Sequence, residues 1–229
     1  MTSLHLDLLF PAQRRLWDEL GDVPPQFTLY GGTAIALYLG HRESIDFDFF
    51  GSESFNPQQL YTSVPFLKGA EIVQQAPDTL TCLVDRAGNV RVSFFGVPGM
   101  TVLREPLQFP DNGVRIASLI DLAGMKAAVV QQRAEAKDYL DLHALINQEA
   151  IDLPMALAAA SRIYPHSFQP QLTLKALTYF DDGDLHTLPE SVRLGLVEAV
   201  RAVALDRLPD LGKLYLKKEE GMKDLGSGL

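Results

Sequence analysis

Apolar residues recur with a short period through the first half of this chain and with a helical period through the second. Residues 11–20 open on Pro11 and put Leu16, Trp17 and Leu20 on one side of a helix. Residues 27–30 are aromatic and β-branched, which predicts a strand that ends at Gly31, where the Gly31-Gly32 pair permits a sharp turn. Residues 33–39 are good helix formers, with Thr33 as the expected N-cap and Gly40 as a left-handed C-cap. Residues 45–50 then alternate, so that Asp46 and Asp48 share one face of a strand and Ile45, Phe47 and Phe49 the other. Asn56-Pro57 reads as the cap and first turn of a helix running towards Leu67. Residues 72–75, 80–84 and 90–97 are strand-like, the last two joined by a hairpin turn at 87–89.

From Ser118 the alternation disappears. Ser118 and Asp121 form a capping-box variant, and helix is expected to run to Arg133. Further helices are expected over 151–164, 169–180 and 189–205. The predicted class is therefore α+β: a mixed sheet with flanking helices over residues 1–116, a helical half over 117–205, and a charged, glycine-ending tail over 206–229 whose composition suits mobility.

Composition narrows this picture without redirecting it. The 229 residues are 47% hydrophobic and 21% charged, ordinary values for a folded globular protein. Basic residues follow the first apolar stretch rather than precede it, the wrong order for a secretory signal, and no run reaches the ~20 apolar residues that span a bilayer. Cys82 stands alone in an apolar run and reads as a small core residue. A cytoplasmic protein without membrane contact is the expectation. The histidines lack metal-ligand spacing, and Asp181-Asp182-Gly183-Asp184 lacks the far-end ligand of a calcium loop, so it reads as an exposed turn.

Chemistry concentrates in residues 27–50. Two carboxylates side by side on one strand repel each other unless a cation lies between them. Hard oxygen donors in this arrangement suit Mg²⁺ or Mn²⁺, completed by water and substrate phosphates, so Asp46 and Asp48 are the expected metal ligands. Free backbone N–H groups of a glycine turn opening a helix bind phosphate, which makes Gly31, Gly32 and Thr33 the expected cradle. Taken singly, such motifs more often mark a solvated strand face and a simple turn; together at this spacing they read as a site for a nucleoside triphosphate (NTP) and its metal.

Gly31-Gly32-Thr33 through Asp46-Phe47-Asp48 resembles the nucleotidyltransferase core of the DNA polymerase β superfamily, and is most similar to the AbiEii-type branch known from toxin–antitoxin systems. The corner at His41-Arg42-Glu43-Ser44 belongs to the likeness, which implies nucleotide-binding roles for Arg42 and Ser44. It extends to Lys126 and to the Lys137-Asp138-Tyr139-Leu140-Asp141 segment, where a lysine and a downstream acid complete the site in that branch. The implied activity is metal-dependent transfer of an NMP from an NTP to an acceptor hydroxyl of tRNA or protein, with an antitoxin protein as partner. In the superfamily a further strand carries a third carboxylate, and alignment puts Ser93 there. That departure keeps a second reading open, in which the same fold with a weakened metal site acts as a binding protein.

Which acid accompanies Lys126 depends on helix continuity. On one unbroken helix, Arg133, Lys137 and Asp141 lie within ~60° of Lys126 and Asp138 lies ~120° away, which favours Asp141. A break near residues 135–137 would restore Asp138. The bland alternative is a solvated helix face in which Arg133, Lys137, Glu135 and Asp141 offset one another. The formal charge of −9 argues against a generally basic RNA surface and leaves local patches, around Arg86, Arg91, Arg104 and Arg115 or around Lys126, Arg133 and Lys137.

Overall fold

The computed structural model describes residues 4–148 and 150–212, and the tail beyond 212 lies outside the described residues. The chain forms two units, one up to Leu122 and one from Ala123 onward. Each is described by itself.

The first unit is built on a seven-stranded mixed sheet. Its strands are β1 (Thr28–Tyr30), β2 (Asp46–Gly51), β3 (Glu71–Ala76), β4 (Thr79–Asp85), β5 (Asn89–Gly96), β6 (Leu107–Gln108) and β7 (Arg115–Ile116), in the order β3-β4-β5-β2-β1-β7-β6. β2 runs parallel to β5 and antiparallel to β1, and β1 runs parallel to β7. The α+β class holds. The two-residue strands β6 and β7 carry too little sequence for an alternation signal and were not expected.

One sheet face is the core. Phe47, Phe49, Phe94, Leu80, Cys82 and Val92 are buried there, with Phe49 stacked on Phe94 at 5.3 Å between ring centroids. Helix α1 (Pro11–Trp17) continues as a 3₁₀ turn over Asp18–Asp22, and Leu16, Trp17 and Leu20 are buried as its period predicts. Trp17 packs on Phe47 and Phe109. Burial raises the Cys82 thiol to about 11, as suits an inert core thiol.

Helix α2 (Gly31–Leu39) starts two residues before the expected Thr33 cap. Thr33 lies inside the first turn, where its hydroxyl donates to the Asp46 carbonyl and meets Ser44 Oγ at 3.0 Å. Those partners come from β2 and the corner before it, which local propensity cannot register. Gly40 closes the helix at φ 62°, as expected. Ile45 departs from its inward assignment: it precedes β2 and is 61% exposed. Asn56 caps α3 (Pro57–Ser63) by accepting from Gln59 N–H at 3.0 Å, as its position predicts.

The second unit contains most of α4 (Leu119–Val129), then α5 (Ala136–Ile146), α6 (Leu153–Ile163), α7 (Pro170–Ala176) and α8 (Glu190–Arg201). Helix α4 stops at Val129, short of the expected Arg133, and α7 and α8 are shorter than their periods suggested. A Cβ on Gly124 would stand 2.9 Å from the Ala159 Cβ, so α4 and α6 touch through backbone there. Buried Thr173 of α7 donates to the Ala127 carbonyl of α4 at 2.7 Å and accepts from Gln131. The Asp181–Asp184 turn serves a structural end: Asp184 accepts from the Ala136 N–H at 2.6 Å, capping α5 from outside its own sequence.

Candidate active site

The expected pair in the first unit stands as the alternation requires. Asp46 and Asp48 occupy one face of β2 while Phe47 and Phe49 are buried on the other. The parallel register sets Asp46 opposite Arg91 and Asp48 opposite Ser93, and the antiparallel register sets Asp48 opposite Tyr30. Arg91 Nε lies 3.8 Å from Asp46 Oδ1, both side chains being partly exposed.

The glycine pair is held against these groups. Gly31 has φ 73°, and a Cβ built on it would lie 2.8 Å from Asp48 Oδ2. A Cβ on Gly32 would lie 2.4 Å from Arg42 Nη2 and 3.0 Å from Ser44 Oγ. Only glycine permits both the left-handed backbone at Gly31 and this approach. Gly31, Gly32, Thr33, Arg42, Ser44, Asp46 and Asp48 are thereby gathered at the junction of β1, α2 and β2. Arg42 also donates to the Glu43 carbonyl at 2.8 Å.

Asp46 and Asp48 are hard oxygen donors beside the glycine turn, the donor chemistry that would suit a hard divalent ion. Among the described residues no group of three or more His, Cys, Asp or Glu side chains gathers into a metal cluster. Where the third strand acid was considered, Ser93 is 4% exposed and in register with Asp48.

The second unit holds a different cluster. Lys126 Nζ donates to Asp138 Oδ1 at 2.6 Å and lies 2.8 Å from Asp141 Oδ2. The two carboxylate side chains are 0% exposed and that of Lys126 is 9% exposed. The single-helix geometry is overturned: residues 130–135 separate α4 from α5, so the ~100° per residue relation between Lys126 and the acids does not apply. Asp138 and Asp141 both reach the lysine. The break comes earlier than residues 135–137 because Glu135 is already the cap of α5.

Arg133 donates from Nε to Asp138 Oδ2 at 2.7 Å. Burial pushes the Asp138 carboxyl upward, but the Arg133 hydrogen bonds and the Lys126 charge outweigh it and hold the group below its ordinary range. Lys137 pairs with Glu135 at 2.8 Å. The patch considered around Lys126, Arg133 and Lys137 is therefore matched by Asp138, Asp141 and Glu135. In the other candidate patch Arg86 is held by Glu19 through two hydrogen bonds, at 2.6 and 2.7 Å.

Residues 15–209 match the family model of the nucleotidyl transferase AbiEii toxin of type IV toxin–antitoxin systems. The chain belongs to the AbiEii family. This AbiEii protein is 33% identical over 159 residues to the uncharacterised protein aq_aa25 of Aquifex aeolicus, covering 69% of this chain and 75% of that one. Its fold is similar to that of MenT4, a nucleotidyltransferase toxin of Mycobacterium tuberculosis, with a TM-score of 0.56 at 16% identity over 88% of this chain and 84% of that one. The family is that of nucleotidyltransferase toxins, in agreement with the resemblance read from residues 31–48, and the likeness to MenT4 is one of fold. Among the described residues no helix is long and apolar enough to cross a membrane.

Proposed function

We propose that this AbiEii protein moves a nucleoside monophosphate from an NTP to a hydroxyl of tRNA or of a protein, in a metal-dependent reaction, and that an antitoxin protein restrains it. The carrying observation is the packing of the Gly31 turn against the Asp48 carboxylate, which brings backbone donors and acidic ligands to one point. Asp46 and Asp48 would hold Mg²⁺ or Mn²⁺, which when bound supplies positive charge to the phosphates and polarises the phosphorus under attack. The N–H groups opening α2 bind phosphate oxygens and orient the chain of phosphates. Arg42, beside Gly32, adds a fixed positive charge to the same turn.

In the transfer, the acceptor oxygen bonds to the α-phosphorus and the bond from that phosphorus to the α,β-bridging oxygen breaks. Pyrophosphate leaves, and the hydroxyl proton passes to a carboxylate or to water. The protein contributes position and electrostatics more than covalent chemistry. The family resemblance gives Lys126 charge neutralisation and gives Asp138 or Asp141 orientation of the attacking hydroxyl.

Ser93 favours a second reading, a binding protein that keeps the fold and transfers nothing. Incubation with each α-³²P-labelled NTP, Mg²⁺ and either total tRNA or a protein extract separates the two. Label on an acceptor, lost in Asp48→Ala, supports transfer; no label on any acceptor with any NTP, while NTP still binds, supports the second reading.

A further inference from the structure

The site face of β2 and β5 continues beyond the acids in a regular order. Because the strands are parallel and in register, their residues form rows: Asp46 with Arg91, Asp48 with Ser93, and Phe50 with Phe95. All three rows share one face, as the Asp46–Arg91 approach and the Phe50–Phe95 ring contact establish independently. Phe50 and Phe95 have centroids 5.0 Å apart with their planes inclined by 35°, and Tyr30 supports Phe50 edge-on at 5.5 Å. Tyr30 is buried, whereas Phe50 and Phe95 are only half-buried. On the opposite face the equivalent rings, Phe49 and Phe94, are closed into the core. The surface thus runs from charged, through polar, to aromatic.

We propose that the nucleotide lies along these two strands, triphosphate at the Asp46 and Asp48 rows and base against the Phe50–Phe95 pair. This rests on the NTP reading of the site and adds to it the binding place of the base. Successive rows are two residues apart, roughly 6.6 Å, so the aromatic row is displaced from Asp48 by about the span of a ribose. A nucleotide has the same order of character, from polyanion through hydroxylated sugar to flat π-face. Stacking on aromatic rings tolerates every base, so this row contributes affinity for the nucleoside part and little choice among bases. The Gly31 turn fixes the polarity, because it lies against Asp48 in the middle row, with Asp46 one row further from Phe95 and the aromatic pair one row on the other side.

The test compares two probes on the full-length protein by titration calorimetry with Mg²⁺: ATP and inorganic triphosphate. Phe95→Leu and Phe50→Leu retain apolar bulk and remove the π-face. Each substitution is expected to weaken ATP roughly tenfold while leaving inorganic triphosphate unchanged, and the unchanged triphosphate also certifies that the variant is folded. Equal ATP affinity in wild type and both variants overturns the proposal alone, as does an equal loss of ATP and triphosphate. Failure of the wild type to bind either probe overturns the NTP reading, and the placement of the base with it.

Discussion

Replacing Lys126 by Met leaves Asp138 and Asp141, both 0% exposed, without the ammonium that lies 2.6 and 2.8 Å from their oxygens. At an effective dielectric of ~20, each contact represents roughly 6 kcal/mol of gross attraction, most of which offsets the cost of taking three charges out of water. Removing one partner of a buried pair nets a loss of about 3–5 kcal/mol, because the carboxylates stay behind. For a unit of about 100 residues, where 1 kcal/mol moves Tm by ~4 °C, the expected drop is ~12–20 °C. Far-UV circular dichroism follows the helices of the second unit. The single tryptophan, Trp17, is buried in the first unit and gives a separate fluorescence signal there. The loss is expected in the helical signal, and a Lys126→Met, Asp138→Asn, Asp141→Asn triple variant should recover most of it, since no unpaired charge remains among the three. A single variant melting within ~2 °C of wild type would refute the reasoning, because both buried carboxylates lose their shared ammonium while Arg133 still holds Asp138.

Gly31→Ala should cost about 1–2 kcal/mol in a melt, from its left-handed backbone, and weaken NTP binding further, since the new methyl displaces the Asp48 carboxylate; unchanged NTP binding would contradict the close approach. Asp138 titrates below its ordinary value of about 3.9 when folded, so its contribution is complete above that value and is lost as pH falls through the folded pKa. Asp138→Asn should therefore flatten the acid limb of a stability-against-pH curve, and an unchanged limb would assign acid sensitivity elsewhere. Asp184→Ala removes the cap on Ala136 and should cost ~0.5–2 kcal/mol, read as a lower urea midpoint.

The central motif was legible because its determinants are local. Gly31-Gly32 followed by Asp46 and Asp48 encodes a turn and a strand face within twenty residues, and both features reappear in the structure. Ser93, which the family resemblance aligned with a third strand acid, does stand in register with Asp48. What escaped depends on contacts distant in sequence. Alanine-rich propensity carries a helix through residue 133, but the cap that starts α5 comes from Asp184, 48 residues away from Ala136. Once that break is made, Lys126 reaches both acids, whereas an unbroken helix forced a choice between them. Thr33 was misplaced for a similar reason, its hydroxyl being taken by the Asp46 carbonyl rather than by its own helix.

The role of Asp46 and Asp48 is tested most directly by calorimetric titration of an NTP into the wild type and into the Asp46→Ala, Asp48→Ala variant, each with Mg²⁺ and with a chelator. The account predicts binding by the wild type with Mg²⁺ alone, and none by the variant under either condition. Binding that persists in chelator, or that survives loss of both carboxylates, would contradict it.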